Sequence, residues 1–169
     1  LAPLINHVHK NDMEFGLWVE PEMVNPDSDL YRAHPDWVLN TQPAPLLSAR
    51  NQLVLDLTRV EVQNYLFKRL DALLSEYPIR YLKWDMNRAI HQPGDQNGRA
   101  VGHQQTRSLY KLLARIRSAN SEVEIESCSS GGGRADFGIL EFTDRIWTSD
   151  SNDALDRVGI QKGFSMFFP

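Results

Sequence analysis

Two aspartates in this 169-residue sequence stand where a carboxylate is costly. Asp85 follows an apolar run in YLKWDMNR (81–88), and Asp150 follows another in RIWTSD (145–150). A carboxylate withdrawn from water must be paired or used. Lys83 lies two residues before Asp85, so on a strand both point to one side. A lysine there would keep the carboxyl ionised, as a nucleophile requires. Asn87 could then bond a substrate hydroxyl. The same spacing equally fits a structural Lys–Asp pair beside a loop asparagine. Asp150 could face Asp85 from a different strand end, one acting as nucleophile and the other as acid/base. S-D-S-N-D (149–153) is also turn and cap chemistry, and Asp153 suits capping better than catalysis.

Three further segments carry candidate contacts. FGLWVEPEMV (15–24) sets Trp18, Glu20 and Glu22 at alternate positions. Aromatic rings stack on sugar faces, although Trp18 fits a core position as well. ESCSSGGGR (126–134) is a small-residue loop holding Cys128, Ser130 and Gly131. Its glycines allow close backbone approach and Arg134 could meet an anion, yet no G-K-[ST] follows to make a phosphate loop. Arg50 lies in a loop, available to substrate or to solvent. His7 and His9 form an H-x-H within a helical pattern, where residues two apart share no face. His34, His91 and His103 are isolated, so neither a metal nor another cofactor is expected.

The elements that must position these residues alternate. Strands are expected over 15–19, 79–84, 122–127 and 144–148, and 52–57 reads as a strand or an extended lead-in. The segment 58–77 places Val62, Leu66, Leu70, Leu73 and Leu74 at helical spacing. Thr58 and Glu61 suggest a capping box, and Pro78 a stop. Helices are also expected over 106–120 and 152–164, and across the opening APLINHVHKND. Strand–helix alternation argues for α/β architecture with a parallel sheet, and the strand ahead of Asp85 is apolar enough to be buried on both faces. Glu20, Glu22, Asp85, Asn87, Cys128 to Arg134 and Asp150 all follow the C-terminal ends of strands, where both barrels and open sheets build sites.

Composition sets outer bounds. Net charge is −4, and the basic residues are scattered, which speaks against a nucleic-acid partner. No apolar run approaches the ~20 residues of a membrane span. The opening residues lack the apolar centre of a signal peptide. The single cysteine excludes an internal disulfide and fits a reducing, cytoplasmic compartment. No linker divides the chain, so residues 1–169 read as one domain.

Together, FGLWVEPEMVNPDSDLYRAHPDWVL, YLKWDMNR, ESCSSGGGRADFGIL and RIWTSDSNDALDRVGIQKGFS closely resemble the catalytic barrel of family 36 glycoside hydrolases, the retaining α-galactosidases. The resemblance spans nearly the whole chain, in the family's order. It implies a (β/α)8 TIM-barrel type fold of which strands three to six are present, a partial barrel ending as the seventh strand begins at GFSMFFP. The family's paired-aspartate element and its flanking β-domains are expected outside this segment. The resemblance further implies hydrolysis of terminal α-galactosides of the raffinose and melibiose type, with Asp85 as nucleophile and Asp150 as acid/base. Trp18, Arg50, Lys83, Asn87 and Cys128, with Ser130 and Gly131, are implied to contact the sugar. The implied partner is an α-galactoside oligosaccharide, and the full-length form is implied to be a homo-oligomer. Galactosyl transfer and non-catalytic sugar binding are the alternative activities.

Overall fold

The computed structural model describes residues 1–168 and turns the apolar segments into short strands separated by helices. In chain order these are α1 (Ala2–His9), β1 (Phe15–Val19), β2 (Met23–Val24), α2 (Asp29–Ala33), a 3-10 turn (Pro35–Trp37) and β3 (Leu53–Val54). There follow α3 (Val60–Glu76), β4 (Ile79–Trp84), α4 (Gly102–Ala119), β5 (Glu124–Ser127), α5 (Phe137–Leu140), β6 (Arg145–Ile146) and α6 (Ala154–Phe164). Pro169, the last residue of the run expected to lead into a seventh strand, lies outside the described residues. The chain divides into two compact units.

The first unit comprises residues 1–19, 78–87 and 122–169. It holds a four-stranded, wholly parallel sheet in the order β1-β4-β5-β6, the α/β arrangement expected. Register sets Trp18 beside Lys83, Lys83 beside Glu126, and Glu126 beside Arg145. Neighbours in register project from the same face. One face therefore carries Trp18, Tyr81, Lys83, Glu126 and Arg145. The other carries Leu82, Trp84, Ile125 and Ser127, all fully buried. The expectation of apolar burial on both faces is corrected accordingly. The first face is polar because its charged groups satisfy one another: Glu126 accepts from the Tyr81 hydroxyl at 2.7 Å and pairs with Lys83 at 3.2 Å. Asp153 caps α6, its carboxylate accepting from the amides of Leu155 and Asp156.

The second unit comprises residues 20–77 and 88–121. Here 52–57 contracts to β3, which pairs antiparallel with β2 as a separate two-stranded sheet. The stripe Val62, Leu66, Leu70 and Leu74 on α3 is buried, as are Leu109, Leu112, Leu113 and Ile116 on α4. The two helices are tied by Arg115, which donates to the Asn64 side chain at 3.1 Å, and by Asn120, which donates to Asp71 at 3.0 Å. The expected capping box does not form. Residue Arg59 occupies the cap position of α3 without a side-chain bond, because the amide and hydroxyl of Thr58 both donate to Asp56. Pro78 follows Tyr77, the C-cap residue of α3.

Gln105 on α4 is 2% exposed and occupied at both ends. Its side-chain oxygen accepts from the Leu57 amide at 2.9 Å, and its NH2 donates to the Leu55 carbonyl at 2.8 Å. Gln105→Leu keeps the volume but orphans two buried backbone groups, at about 1–3 kcal/mol for each. A lowered urea midpoint is the expected outcome. An unchanged midpoint would mean that solvent replaces both bonds.

Candidate active site

A parallel strand delivers its next residue to the end of the sheet, and three strands of the first unit do this together. Asp85 follows β4, Cys128 follows β5, and Asp150 lies four residues beyond β6. The backbone continues the ladder past the strands: the Asp85 amide donates to the Val19 carbonyl at 2.9 Å, and the Cys128 amide to the Trp84 carbonyl at 2.8 Å. Asp85 and Cys128, distant in sequence, are thereby fixed beside one another.

Asp85 is 5% exposed and surrounded by donors. The Trp18 indole N–H reaches Oδ2 at 3.0 Å and the Asn87 amide reaches the same oxygen at 2.6 Å. Oδ1 accepts from the Met86 backbone at 2.8 Å, and the Cys128 thiol also donates to the carboxylate. Burial alone pushes the carboxyl up. The bonds from Trp18, Asn87, Cys128 and Met86 more than offset it, leaving Asp85 below the ordinary aspartate value. Trp18 is 51% exposed, so the alternative of a core tryptophan is set aside.

The expected Lys83–Asp85 pairing needs correction. Lys83 does share a strand face with the Asp85 side, but its ion pair is with Glu126, and its ammonium lies 3.8 Å from the Trp147 ring centre. Neutral donors, rather than that cation, hold Asp85 ionised. Glu126 and Trp147 were not among the residues picked from sequence. Their signal was cross-strand register, which a linear reading does not contain.

The glycine loop is tight. Ser129 donates from its amide to the Gly131 carbonyl at 2.8 Å and from its hydroxyl to the Met86 carbonyl at 2.8 Å. Ser130 (φ 48°) donates to the Asn87 side-chain oxygen at 3.1 Å, connecting the loop to the asparagine on Asp85. Gly131 (φ 87°) lies so close to the β6 exit that a Cβ would stand 3.1 Å from the Ser149 Cα and from the Thr148 oxygen. Arg134, considered as an anion partner, donates to the Trp84 carbonyl at 3.3 Å. Asp150 is exposed and accepts the Trp147 indole N–H on Oδ1 at 2.7 Å.

Three other candidates, Arg50, Glu20 and Glu22, belong to the second unit. Arg50 sits with Asn51 at the tip of a tight turn closed by paired backbone bonds between Ala49 and Gln52. Both tip residues have positive φ, 55° and 58°, the type I′ pattern that glycine and asparagine normally fill. An arginine held there presents its side chain at a backbone cost of about 1–2 kcal/mol. Glu20 accepts from the Gln52 side chain at 3.0 Å, and Glu22 is buried. Among the described residues no three His, Cys, Asp or Glu side chains cluster as metal ligands, and no helix is long and apolar enough to cross a membrane.

Comparison with known proteins accords with this arrangement. The Melibiase family model matches residues 1–169. The α-galactosidase of Escherichia coli is 53% identical over 169 residues, covering all of this chain and 24% of that protein. The crystal structure of the family 36 α-galactosidase AgaA from Geobacillus stearothermophilus matches with a TM-score of 0.92 at 42% identity, covering 97% of this chain and 24% of that one. A variant of AgaA in complex with raffinose matches with a TM-score of 0.91 at 41% identity, with the same coverage. The chain thus spans about a quarter of the length of the relatives it matches.

Cys128 supplies a check on the site's electrostatics. Burial pushes its thiol up, and the adjoining Asp85 carboxylate adds to this against the Gly131 amide and Lys83, giving a value of about 11. Iodoacetamide at pH 7–9 should leave Cys128 unmodified by mass spectrometry in the folded protein. Ready labelling there would contradict the Asp85–Cys128 contact.

Proposed function

Because the chain belongs to the Melibiase family, glycoside hydrolase family 36, we propose that its full-length protein hydrolyses terminal α-galactosides with retention of configuration. The substrate class is raffinose-type oligosaccharides, supported by the AgaA complex with raffinose. Residues 1–169 are read as the central part of the catalytic (β/α)8 barrel, with β1, β4, β5 and β6 as its strands three to six. The parallel order of those four strands supports this reading.

The observation that carries the proposal is the environment of Asp85: a buried carboxylate kept ionised by hydrogen bonds at the end of a parallel strand. An ionised carboxylate can attack an anomeric carbon. Asp150 provides the second carboxyl group at another strand exit of the same unit. Retaining enzymes hold the pair about 5–5.5 Å apart. In the first step a bond forms between an Asp85 oxygen and the anomeric carbon as the bond to the leaving oxygen breaks. Asp150 gives that oxygen its proton. In the second step Asp150 takes a proton from water, whose oxygen displaces Asp85 and releases galactose. Loss of the Asp85 charge on glycosylation removes a nearby negative charge and favours the ionised Asp150 that the second step needs.

The sugar contacts follow the same division. Trp18, half-exposed while its N–H is engaged by Asp85, offers a ring to stack on galactose. Lys83, Asn87, Cys128, Ser130 and Gly131 are read as hydroxyl contacts, and Arg50 as a further sugar contact. No cofactor enters this chemistry.

In the full-length protein, Asp85→Ala should abolish turnover of raffinose and of nitrophenyl α-galactoside. Asp150→Ala should lower raffinose turnover by about 10²–10⁴-fold. Wild-type rates in Asp85→Ala would overturn the assignment. The pH profile gives an independent test. Asp85 works as its ionised form, so the acid limb of kcat/KM should lie below 3.8, the value of an unperturbed aspartate. Asn87→Ala removes a donor to that form and should move the limb upward.

A further inference from the structure

Trp147 is not among the residues assigned above, yet it sits at a junction. Its indole N–H donates to Asp150 Oδ1 at 2.7 Å. Two cations lie over its ring, the Lys83 ammonium at 3.8 Å and the Arg157 guanidinium at 4.8 Å from the centroid. Lys83 is itself held by Glu126, which also accepts from Tyr81. Arg157 donates to the Ser149 carbonyl at 2.8 Å and to the Ser151 carbonyl at 3.4 Å, gripping the backbone on both sides of Asp150.

We propose that Trp147 is a positioning residue for Asp150, fixing which carboxyl oxygen carries the transferable proton. The inference rests on the acid/base reading of Asp150. An indole N–H is a donor only, so the oxygen that accepts from it cannot also present a proton along that direction. With Oδ1 engaged by Trp147, the proton of the acid form belongs on Oδ2. That is the oxygen which protonates the leaving group and later takes the proton from water. The cations strengthen the arrangement, because positive charge over the ring face draws electron density from the indole and sharpens its N–H as a donor. The series Glu126–Lys83–Trp147–Asp150 also connects β4 and β5 to the exposed loop after β6. The acid/base therefore need not depend on that loop alone for its orientation.

The experiment separates proton donation from everything else at the site. A sugar leaving group needs a proton from Asp150, whereas dinitrophenolate departs without one. In the full-length protein, kcat/KM is measured for raffinose and for dinitrophenyl α-galactoside, since both report events up to the first cleavage. W147F keeps an aromatic ring and lacks the N–H. Benzothienylalanine at position 147 keeps the bicyclic shape as well and also lacks it. Both should lose about 10–100-fold on raffinose, as expected for a misplaced catalytic group, and stay close to wild type on the dinitrophenyl substrate. The ratio of the two values is unaffected by the fraction of protein correctly folded. Equal loss on both substrates with benzothienylalanine, or no loss on raffinose, overturns the proposal. Asp150→Ala in parallel tests the reading beneath it. A substrate split in Asp150→Ala without one at position 147 defeats only the role of Trp147, and no split in Asp150→Ala defeats both.

Discussion

The demand of one buried carboxylate for hydrogen-bond donors organises the first unit. Asp85 has lost nearly all its water, and hydrogen bonds from neutral donors compensate it. Its donors come from three places: Trp18 on β1, Met86 and Asn87 just after β4, and Cys128 just after β5. Neutral donors suit a nucleophile better than a cation in direct contact would. They hold the charge in place without competing for it, and leave the neighbouring cation to other work. Lys83 is instead balanced by Glu126 and stacked over Trp147. The polar sheet face thus satisfies its own charges, and does so at the end where the candidate catalytic groups emerge.

The two aspartates are supported in different ways. Asp85 is buried and bonded from several directions, while Asp150 is exposed and reached by one indole. That contrast suits their proposed tasks. A nucleophile must be kept ionised in one place, and an acid/base must exchange protons with a leaving group and with water. The glycine loop ties the two regions together. Gly131 lies against Thr148 and Ser149 where a Cβ would be crowded, and Ser130 reaches back to Asn87. What reads in sequence as a small, flexible stretch is a spacer between the two carboxylates' supports.

Local patterns were legible where the physics is local. The limits of β1 and β4, the buried stripes on α3 and α4, and the Asp153 cap all follow from periodicity or from side chains bonding a few residues away. The same logic failed at Thr58, because Asp56, two residues earlier, claimed its donors first. Non-local facts were not readable. Lys83 could be seen beside Asp85 in the chain, but Glu126 competes for it across the sheet, from a strand more than forty positions away in sequence. Trp147 lies within the expected strand 144–148, and its ring contacts with Lys83 and Arg157 depend on residues from other elements. Asp85 and Asp150 stand out from their own sequence context, and the resemblance to a family is what assigns them roles, since whole motifs carry more than single residues do.

The donors of Asp85 also bear on how far its motif can be considered a unit. Of the groups that hold the carboxylate, only the Met86 amide and the Asn87 side chain travel with YLKWDMNR; the Trp18 donor is 67 positions away and Cys128 comes from another strand. Transplanted onto a different scaffold, those eight residues would carry Asp85 without most of the donors that keep it ionised. The portable module is the paired end of three parallel strands, and any graft smaller than that delivers an ordinary aspartate.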